Sequence, residues 1–424
     1  MQRQWGAFIS CSFAVLLLAG VGSAEQGAVA DGELRSLRQQ VAALQQQVED
    51  ANDRHSAEIQ MLQQKIEALS REPNEAPPAR AANTYPGAPP GRSYQSFNPD
   101  ISAIGDVLFH AGENEEGVEE NRFQFRELEL AFGSAVDPYG RADFFVSIEE
   151  EDGEFAVDLE EGYFTFETLP HDLKARAGKF YSAFGKANQI HTHNLPWVTL
   201  PTVITRFLGE EGMTQPGAEL SWLVPNPWET YMELTGQLQS NRSAASFAGA
   251  EGDELMYVAH WKNFFDLSRE STLEVGGSFA TGRNARTGAD RQTYLEGLDL
   301  TYKWRPAQQG LYRSLTWMSE LLLSQREQGE GDGVDSQGLY SSLEYQFDRR
   351  WSVFGRYDYA EFPEDKDSYE QAFSPGLTFR QSEYAFWRLQ YTHTEGRGSS
   401  ALGRRDELFL QLDFGIGPHR AHPY

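Results

Sequence analysis

Hydrophobic and polar residues alternate one by one over short stretches of the chain from about residue 97 to its end. Successive side chains of a β-strand point to opposite faces, so a period of two predicts strands with one apolar and one polar face. The clearest stretch sets Leu408, Leu410, Leu412, Phe414 and Ile416 against Glu407, Gln411 and Asp413. A second such stretch runs from Trp351 to Tyr359.

The connections between these predicted strands are alternately short and long. The short ones contain turn residues and lie at 136–140, 169–172, 224–227, 266–270, 305–311, 348–350 and 381–383. The long ones lie at 111–121, 149–154, 182–212, 240–253, 283–291, 327–336, 361–370 and 395–404. About sixteen strands result, with roughly 20 residues for each strand and its connection, as expected for tilted membrane strands of about ten residues.

Three features favour a transmembrane barrel over a soluble β-sandwich, which shows the same alternation. Acidic residues concentrate in the long connections, and the strands are apolar on one face only. Aromatic residues bracket the short turns, as rings at the level of lipid headgroups do: Trp222 and Trp228, Trp261 and Phe265, Trp304 and Tyr312, Phe347 and Trp351, Tyr384 and Trp387. The sequence therefore predicts an all-β fold, a transmembrane antiparallel β-barrel of about sixteen strands over residues 97–424.

One predicted strand changes phase part of the way along. Phe123 and Phe125 are apolar at odd positions, whereas Leu128 and Leu130 are apolar at even positions. Both pairs can face the same side only if one extra residue is inserted between them. The pattern predicts a β-bulge near Arg126.

The N-terminal 24 residues have the pattern of a secretory signal peptide. Arg3 precedes an apolar stretch and then small residues up to Ala24, with cleavage expected after Ala24 or, as second choice, after Ala30. The chain has one cysteine, Cys11, which falls within this segment, so we expect an exported protein without disulfides.

Residues 33–71 predict an α-helical coiled coil, because apolar residues recur there at alternating steps of three and four. A coiled coil in the periplasm implies an oligomer of two or three chains. A single amphipathic helix is the other interpretation. Residues 72–96 are rich in Pro, Ala and Gly and predict an extended linker before the barrel.

Composition excludes some classes of function. The chain has 36 Lys and Arg against 63 Asp and Glu, a net charge of -27, so we expect no nucleic-acid partner. The sequence contains no G-x-S-x-G, H-E-x-x-H or P-loop pattern, so we do not expect an enzyme.

Several stretches resemble a bacterial outer-membrane porin-like family related to the phosphate-selective porins, whose members can carry an N-terminal coiled coil. They are RELELAFGSAVDPYGRADFF, EEGYFTF, LKARAGKFYSAFGKANQIHTHNLPW, PGAELSWLVP and ELFLQLDFGIGPHRAHPY. The resemblance implies a homotrimeric, sixteen-stranded porin of a Gram-negative outer membrane, with one loop folded into the lumen. It also implies contact with membrane lipid and lipopolysaccharide. The last strand, ending at Tyr424, resembles the signal read by the barrel-assembly machinery.

Charged residues expected to line the pore have both signs. The alternation points Glu127, Glu129, Asp158, Glu160, Asp358 and Asp413 inward, together with Arg176, Arg356 and Arg388. An anion pore needs rings of positive charge. The mixture therefore argues against phosphate selectivity and for the passage of cations or neutral solutes.

The connection 182–212 is the longest and is the expected constriction loop. It carries Lys186 and Arg206 as further pore-lining candidates. It also carries His191 and His193, whose imidazoles suit Zn²⁺ or Cu²⁺. Sequence identifies no third ligand, and hydrogen bonds that pack the loop are the alternative role of both rings. Apart from such a divalent metal, we expect no cofactor.

These patterns leave three hypotheses of function. The first is a porin that forms a water-filled channel for passive passage of small solutes or ions. The second is a structural outer-membrane protein that tethers the envelope through its coiled coil. A metal- or nutrient-uptake receptor is the third, and it is disfavoured because such receptors need a plug domain and a barrel of about 22 strands.

Overall fold

The protein is described by a computed structural model that covers residues 99–113, 119–151, 154–241, 245–248, 254–285, 291–328, 333–398 and 403–417. The predicted signal peptide, coiled coil and linker lie outside the described residues, as does the C-terminal Tyr424.

Within the described residues, sixteen antiparallel strands form one closed barrel, which confirms the predicted strand number. Each strand pairs with its neighbours in sequence, and the first pairs with the last. The strands are β1 (Asp100–Glu113), β2 (Glu119–Asp137), β3 (Gly140–Glu151), β4 (Glu154–Phe166), β5 (Leu173–Tyr181), β6 (Thr214–Leu223), β7 (Tyr231–Ser240), β8 (Leu255–Asp266), β9 (Ser271–Arg283), β10 (Gln292–Trp304), β11 (Ser314–Glu327), β12 (Gly333–Gln346), β13 (Trp351–Phe362), β14 (Asp365–Arg380), β15 (Ala385–Arg397) and β16 (Arg404–Ile416).

Most side chains that point into the barrel are polar, and apolar side chains cover its outer surface. On β15, Arg388, Gln390 and Thr392 are buried, whereas Leu389 and Tyr391 between them are exposed. This is the reverse of a soluble domain, in which the apolar face of a sheet is buried. The predicted one-sided alternation is therefore present, with its apolar side on the outer surface.

Several of the long connections are shorter in the structure than the sequence predicts. β1 and β2 stay paired up to Glu113 and Glu119, and β13 and β14 are joined across Phe362 and Asp365. The acidic residues of these segments do not end the strands, because backbone pairing continues past the apolar part of each strand. The seven short turns lie where the sequence predicts them.

Two β-bulges lie near one another in the barrel wall, and each changes the direction in which the neighbouring side chains point. The pairing of β1 with β2 shifts from Asp106–Glu127 to Val107–Phe125, so Arg126 is the extra residue, as predicted. The pairing of β3 with β4 shifts from Phe145–Glu161 to Val146–Leu159, which leaves Glu160 as a second extra residue that was not predicted.

The connection between β5 and β6, residues 182–213, folds into the barrel and is called the lumenal loop below. It contains two 3₁₀ turns (Ala187–Gln189 and Thr192–Asn194) and one helix, α1 (Thr202–Leu208). Pro201 precedes α1, and Gly209, with a φ of 111°, ends it. In the part of the chain that the structure describes, no helix has the length and apolar character needed to cross a membrane.

An apolar core joins the lumenal loop to the wall formed by β8–β13. The loop contributes buried apolar side chains, among them Phe184, Trp197, Val203, Phe207 and Leu208. The wall contributes Met256, Leu295, Leu322, Tyr340 and Phe354, among others. Gly338 lies directly under α1, because a Cβ there would lie 3.1 Å from Cβ of Val203. The interior of the barrel is thus partly filled by a packed core.

We expect Gly178→Ala to destabilise the barrel. Gly178 has a φ of 146°, and a Cβ there would lie 2.6 Å from Cα of Tyr163 and collide with the carbonyl oxygen of Gly162. Backbone strain and overpacking together predict a loss of about 2–4 kcal/mol in the free energy of unfolding. The measurement is urea unfolding of the full chain refolded in detergent. Gly236→Ala is the matched control, since a Cβ there meets no atom within 4 Å, and equal midpoints for the two variants would contradict the argument.

Candidate functional site

The start of the lumenal loop is hydrogen-bonded to the wall beside its own strands. The Ser182 hydroxyl donates to Oε1 of Gln239 at 2.6 Å. The backbone N–H of Ala183 donates to Oε1 of Gln237 at 2.8 Å. Both glutamines lie on β7, so the chain turns into the lumen immediately after β5.

The middle of the loop is hydrogen-bonded to the opposite wall. The indole N–H of Trp197 donates to the hydroxyl of Ser342 on β12 at 2.6 Å. The backbone N–H of Val198 donates to Oε1 of Gln390 on β15 at 2.9 Å. The loop therefore crosses the lumen and is held on both sides of it.

Arg356, a predicted pore-lining residue, binds the backbone of the loop. It is 2% exposed and donates to the carbonyl oxygens of Thr199 at 2.5 Å and Leu200 at 3.3 Å. Its Nε also donates to Oδ2 of Asp358 at 2.8 Å, and the other carboxylate oxygen of Asp358 accepts from the backbone N–H of Thr202 at 3.2 Å. This pair acts as a clamp on the loop segment that precedes α1.

Arg388 and Arg206, two further predicted residues, also hold the loop. Arg388 donates to the carbonyl oxygen of Trp197 at 3.1 Å and to Gln411 at 3.0 Å. Arg206, on α1, pairs with Glu370 of β14 at 2.8 Å. The guanidinium groups at this level bind carbonyl oxygens and carboxylates of the protein itself.

The two remaining basic candidates are paired with wall carboxylates. Arg176 on β5 donates to Glu219 on β6 at 2.7 Å, and its guanidinium lies 4.4 Å from the centre of the Phe180 ring. Lys186 in the loop pairs with Glu274 on β9.

Sequence reasoning missed Glu320, which is buried on β11 and receives the loop. Its Oε1 accepts from the backbone N–H of Ala187 at 2.6 Å and from the Tyr340 hydroxyl at 2.7 Å. The available signal was a carboxylate between Met318 and Leu322, the apolar residues two positions before and after it on the same face of the strand.

Six acidic and histidine side chains meet where the loop crosses β2 and β4. We call this group the carboxylate–histidine cluster; it consists of Glu127 and Glu129 on β2, Glu160 and Glu161 on β4, and His191 and His193 in the loop. Nδ1 of His191 lies 2.8 Å from Oε2 of Glu129 and 3.2 Å from Oε2 of Glu160. Nε2 of His191 lies 3.1 Å from Oε2 of Glu161.

The structure thus brings together three predicted carboxylates, Glu127, Glu129 and Glu160, with both predicted histidines. His193 completes the group, with Nδ1 3.5 Å from Oε2 of Glu129. Glu161 was not among the predicted residues. If side chains alternate strictly and Asp158 and Glu160 point inward, Glu161 points outward. The bulge at Glu160 lets two successive carboxylates reach the same imidazole.

His191 contacts three carboxylates of the cluster. Burial lowers the pKa of His191, but the hydrogen bonds to Glu129, Glu160 and Glu161 outweigh it and hold the pKa well above its ordinary value. A proton on His191 therefore supplies part of the positive charge that the buried carboxylates require.

A cavity of about 850 Å³ lies above the lumenal loop at the end of the barrel with the long connections, and we call it the vestibule. Its acidic lining residues are Glu127, Glu149, Asp158, Glu160, Glu210, Glu211 and Glu364. Its basic ones are Arg126, Lys179 and Arg206. Lys179 is paired with Asp158 at 2.9 Å, and Arg126 is paired with Asp106. The vestibule therefore carries an excess of negative charge, which concentrates cations.

Comparison with known proteins supports the fold. No protein-family model matches the chain. An uncharacterized protein of Aquifex aeolicus (strain VF5) is 28% identical over 400 residues, which cover 78% of this chain and 81% of that protein.

Three solved structures illustrate the similarity of fold. An anion-selective porin from Comamonas acidovorans has a TM-score of 0.53 and 10% identity, with 75% of this chain and 99% of that chain covered. OmpT of Vibrio cholerae in a trimer form has a TM-score of 0.53 and 8% identity, covering 76% and 100%. The outer membrane channel DcaP of Acinetobacter baumannii has a TM-score of 0.53 and 9% identity, covering 77% and 99%. The porin-like fold expected from the sequence is thereby confirmed, and phosphate selectivity stays a question of the lumenal residues.

We expect Arg356→Met to release the lumenal loop. The substitution removes three hydrogen bonds to the loop and leaves the buried carboxylate of Asp358 without its cation. Removal of one partner of a buried ion pair costs about 3–5 kcal/mol. The measurement is limited trypsin digestion of the refolded protein, in which new cleavage at Lys186 and Arg206 reports release.

Arg349→Met is the matched control for this test, because Arg349 is exposed in a short turn. We expect its digestion pattern to equal that of the unaltered protein. If Arg356→Met also leaves Lys186 and Arg206 protected, the clamp described above does not hold the loop.

Proposed function

We propose that the protein is an outer-membrane porin of a Gram-negative bacterium, a water-filled channel for passive passage of small solutes and ions. The observation that carries this proposal is a closed barrel with a polar interior, an apolar exterior and a loop that narrows the lumen. Only closed barrels and helices satisfy all their backbone hydrogen bonds within a membrane.

The orientation in the membrane follows from the rim of the barrel. Trp228, Tyr312 and Tyr384 are exposed beside short turns. Such rings settle at the level of lipid headgroups, and short turns of bacterial barrels face the periplasm. The long connections and the vestibule would then face the lipopolysaccharide and the cell exterior.

We infer that the channel prefers cations over phosphate. The vestibule carries more acidic than basic residues, and basic residues of the lumen are engaged by the protein itself. A permeant anion would have to compete with Glu219, Glu370 and Asp358 for these guanidinium groups. The anion selectivity stated for the Comamonas acidovorans porin is a property of that protein, because ion selectivity depends on side chains that 10% identity does not preserve.

We also infer a homotrimer that is inserted by the barrel-assembly machinery. The trimer form of Vibrio cholerae OmpT and the heptad pattern of residues 33–71 support this oligomer. Strand β16 closes the barrel against β1, so the C-terminal strand is available as the signal for this machinery only before the barrel is closed.

The proposal predicts a stepwise conductance for the purified oligomer in planar bilayers. Under a KCl gradient, the reversal potential is expected to have the sign of cation preference, because the vestibule is acidic. Preference for chloride would contradict the assignment of selectivity. If no conductance is observed, the alternative hypothesis of a structural, envelope-tethering protein is favoured. The contacts of the lumenal loop with both walls would then explain why the channel does not conduct.

We expect Glu210→Gln and Glu211→Gln to weaken the cation preference. Both side chains are exposed at the vestibule. One charge about 8 Å from a permeant ion in water contributes ~0.5 kcal/mol, favourable for a cation and unfavourable for an anion. Salt at ~0.1 M screens the resulting difference of ~1 kcal/mol to about half, so each substitution should lower the cation-to-anion permeability ratio about twofold. Glu383→Gln is the control, since Glu383 lies in a short turn at the other end of the barrel, and an equal effect there would point to non-specific surface charge.

A further inference from the structure

We propose that the carboxylate–histidine cluster binds a divalent transition-metal ion, of the class of Zn²⁺, between the lumenal loop and the barrel wall. This site is additional to the channel function and does not depend on it.

The ligand atoms converge on Glu129. Glu129, Glu160 and His191 each offer one ligand atom, and these atoms lie within 4.8 Å of one another. Glu127, Glu129 and His193 form a second such trio. Bonds of about 2.0–2.2 Å to nitrogen and oxygen place ligands of a tetrahedral zinc about 3.3–3.6 Å apart. The distances of 2.8, 3.2 and 3.5 Å within the cluster lie close to this spacing.

The outer partner of His191 has the arrangement found around metal-binding histidines. A histidine ligand usually donates the N–H of its second ring nitrogen to a carboxylate, which orients the ring and fixes the tautomer. Nε2 of His191 lies 3.1 Å from Glu161, whereas Nδ1 faces Glu129 and Glu160. Glu161 would therefore be the orienting residue, with Nδ1 as the metal-binding atom.

Two buried carboxylate oxygens in the cluster have no hydrogen-bond partner among the residues that the structure describes. Glu127 is 4% exposed and Glu129 is 1% exposed, and Oε1 of each accepts no hydrogen bond. An isolated buried carboxylate oxygen is strongly destabilising unless a cation or a proton compensates it. Both residues supply atoms to the trios described above, so a metal ion at the cluster would meet this requirement.

The charges of the cluster point to a divalent ion. Four carboxylates face two imidazoles, and a metal ion bound through Nδ1 of His191 takes the place of a proton on that nitrogen. Arg126 and Lys179, at the edge of the cluster, are paired with Asp106 and Asp158. A divalent cation would therefore supply two positive charges where a proton supplies one.

The donor set identifies the class of metal. Ca²⁺ and Mg²⁺ prefer oxygen ligands alone, whereas imidazole together with carboxylate suits Zn²⁺ and its neighbours in the first transition series. Glu127 and Glu160 also line the vestibule, which provides a route from solution to the site. Bound metal would tie the loop, through its histidines, to β2 and β4.

The test measures binding of Zn²⁺ to the untagged full chain, refolded in detergent and freed of metal with a chelator. Calorimetric titration and elemental analysis should give one tightly bound Zn²⁺ per chain, and Co²⁺ should give the visible absorption of nitrogen and oxygen ligation. We expect His191→Ala and Glu129→Gln to weaken binding at least tenfold. Glu161→Gln should weaken it about 10- to 100-fold through the orientation of His191.

His393→Ala is the matched control, because His393 also contacts two carboxylates, Asp406 at 2.7 Å and Glu395 at 3.5 Å, but lies far along the chain on β15. Its binding should equal that of the unaltered protein. Heat-dependent mobility in gels verifies folding of each variant, and Glu161→Gln decides the question if His191→Ala does not fold. Absence of tight binding, or equal loss in His393→Ala, would overturn the site. Displacement of Zn²⁺ by equimolar Ca²⁺ would overturn the metal class.

Discussion

Pairing of β1 with β16 is the interaction on which the other features of the barrel depend. Ten residue pairs, from Ala103–Ile416 to Gly112–Glu407, join the two ends of the sheet. Closure satisfies the backbone groups that an open edge would expose, so the outer surface can be apolar without inviting further strands. Polar and charged side chains must then face the lumen.

Charged side chains that face the lumen need hydrogen-bond partners, and the lumenal loop supplies them to several arginines. Arg356, Arg388 and Arg126 each donate to a backbone carbonyl oxygen of the loop between Trp197 and Leu200. Carbonyl oxygens in an extended segment have no partner within the segment, and the guanidinium fork offers several donors in fixed geometry. The loop and the arginines therefore satisfy one another, which explains why inward arginines need not form an anion path.

Sequence periodicity predicted the strands well because the lumen and the exterior differ in polarity along the whole barrel. The same contrast revealed the bulge at Arg126, since two apolar phases met there. A similar trace was present at Glu160 and was missed: Val157 and Leu159 are apolar at odd positions and Phe164 and Phe166 at even positions, but the apolar Tyr163 and the run of acidic residues obscured the change. Partners such as Glu320 and Glu370 were also invisible, because the loop reaches them across more than 100 residues of sequence.

The lumenal loop is attached to the barrel by two kinds of contact. Trp197 and α1 are held by apolar burial against β8–β13 and by the Arg356–Asp358 clamp; burial is insensitive to pH and to ions, and arginine keeps its charge over the ordinary pH range. His191 is held by contacts of its imidazole with carboxylates of β2 and β4, and such contacts respond to pH and to cations. We therefore expect a change in solution conditions to act on the loop first at His191, while α1 remains in place.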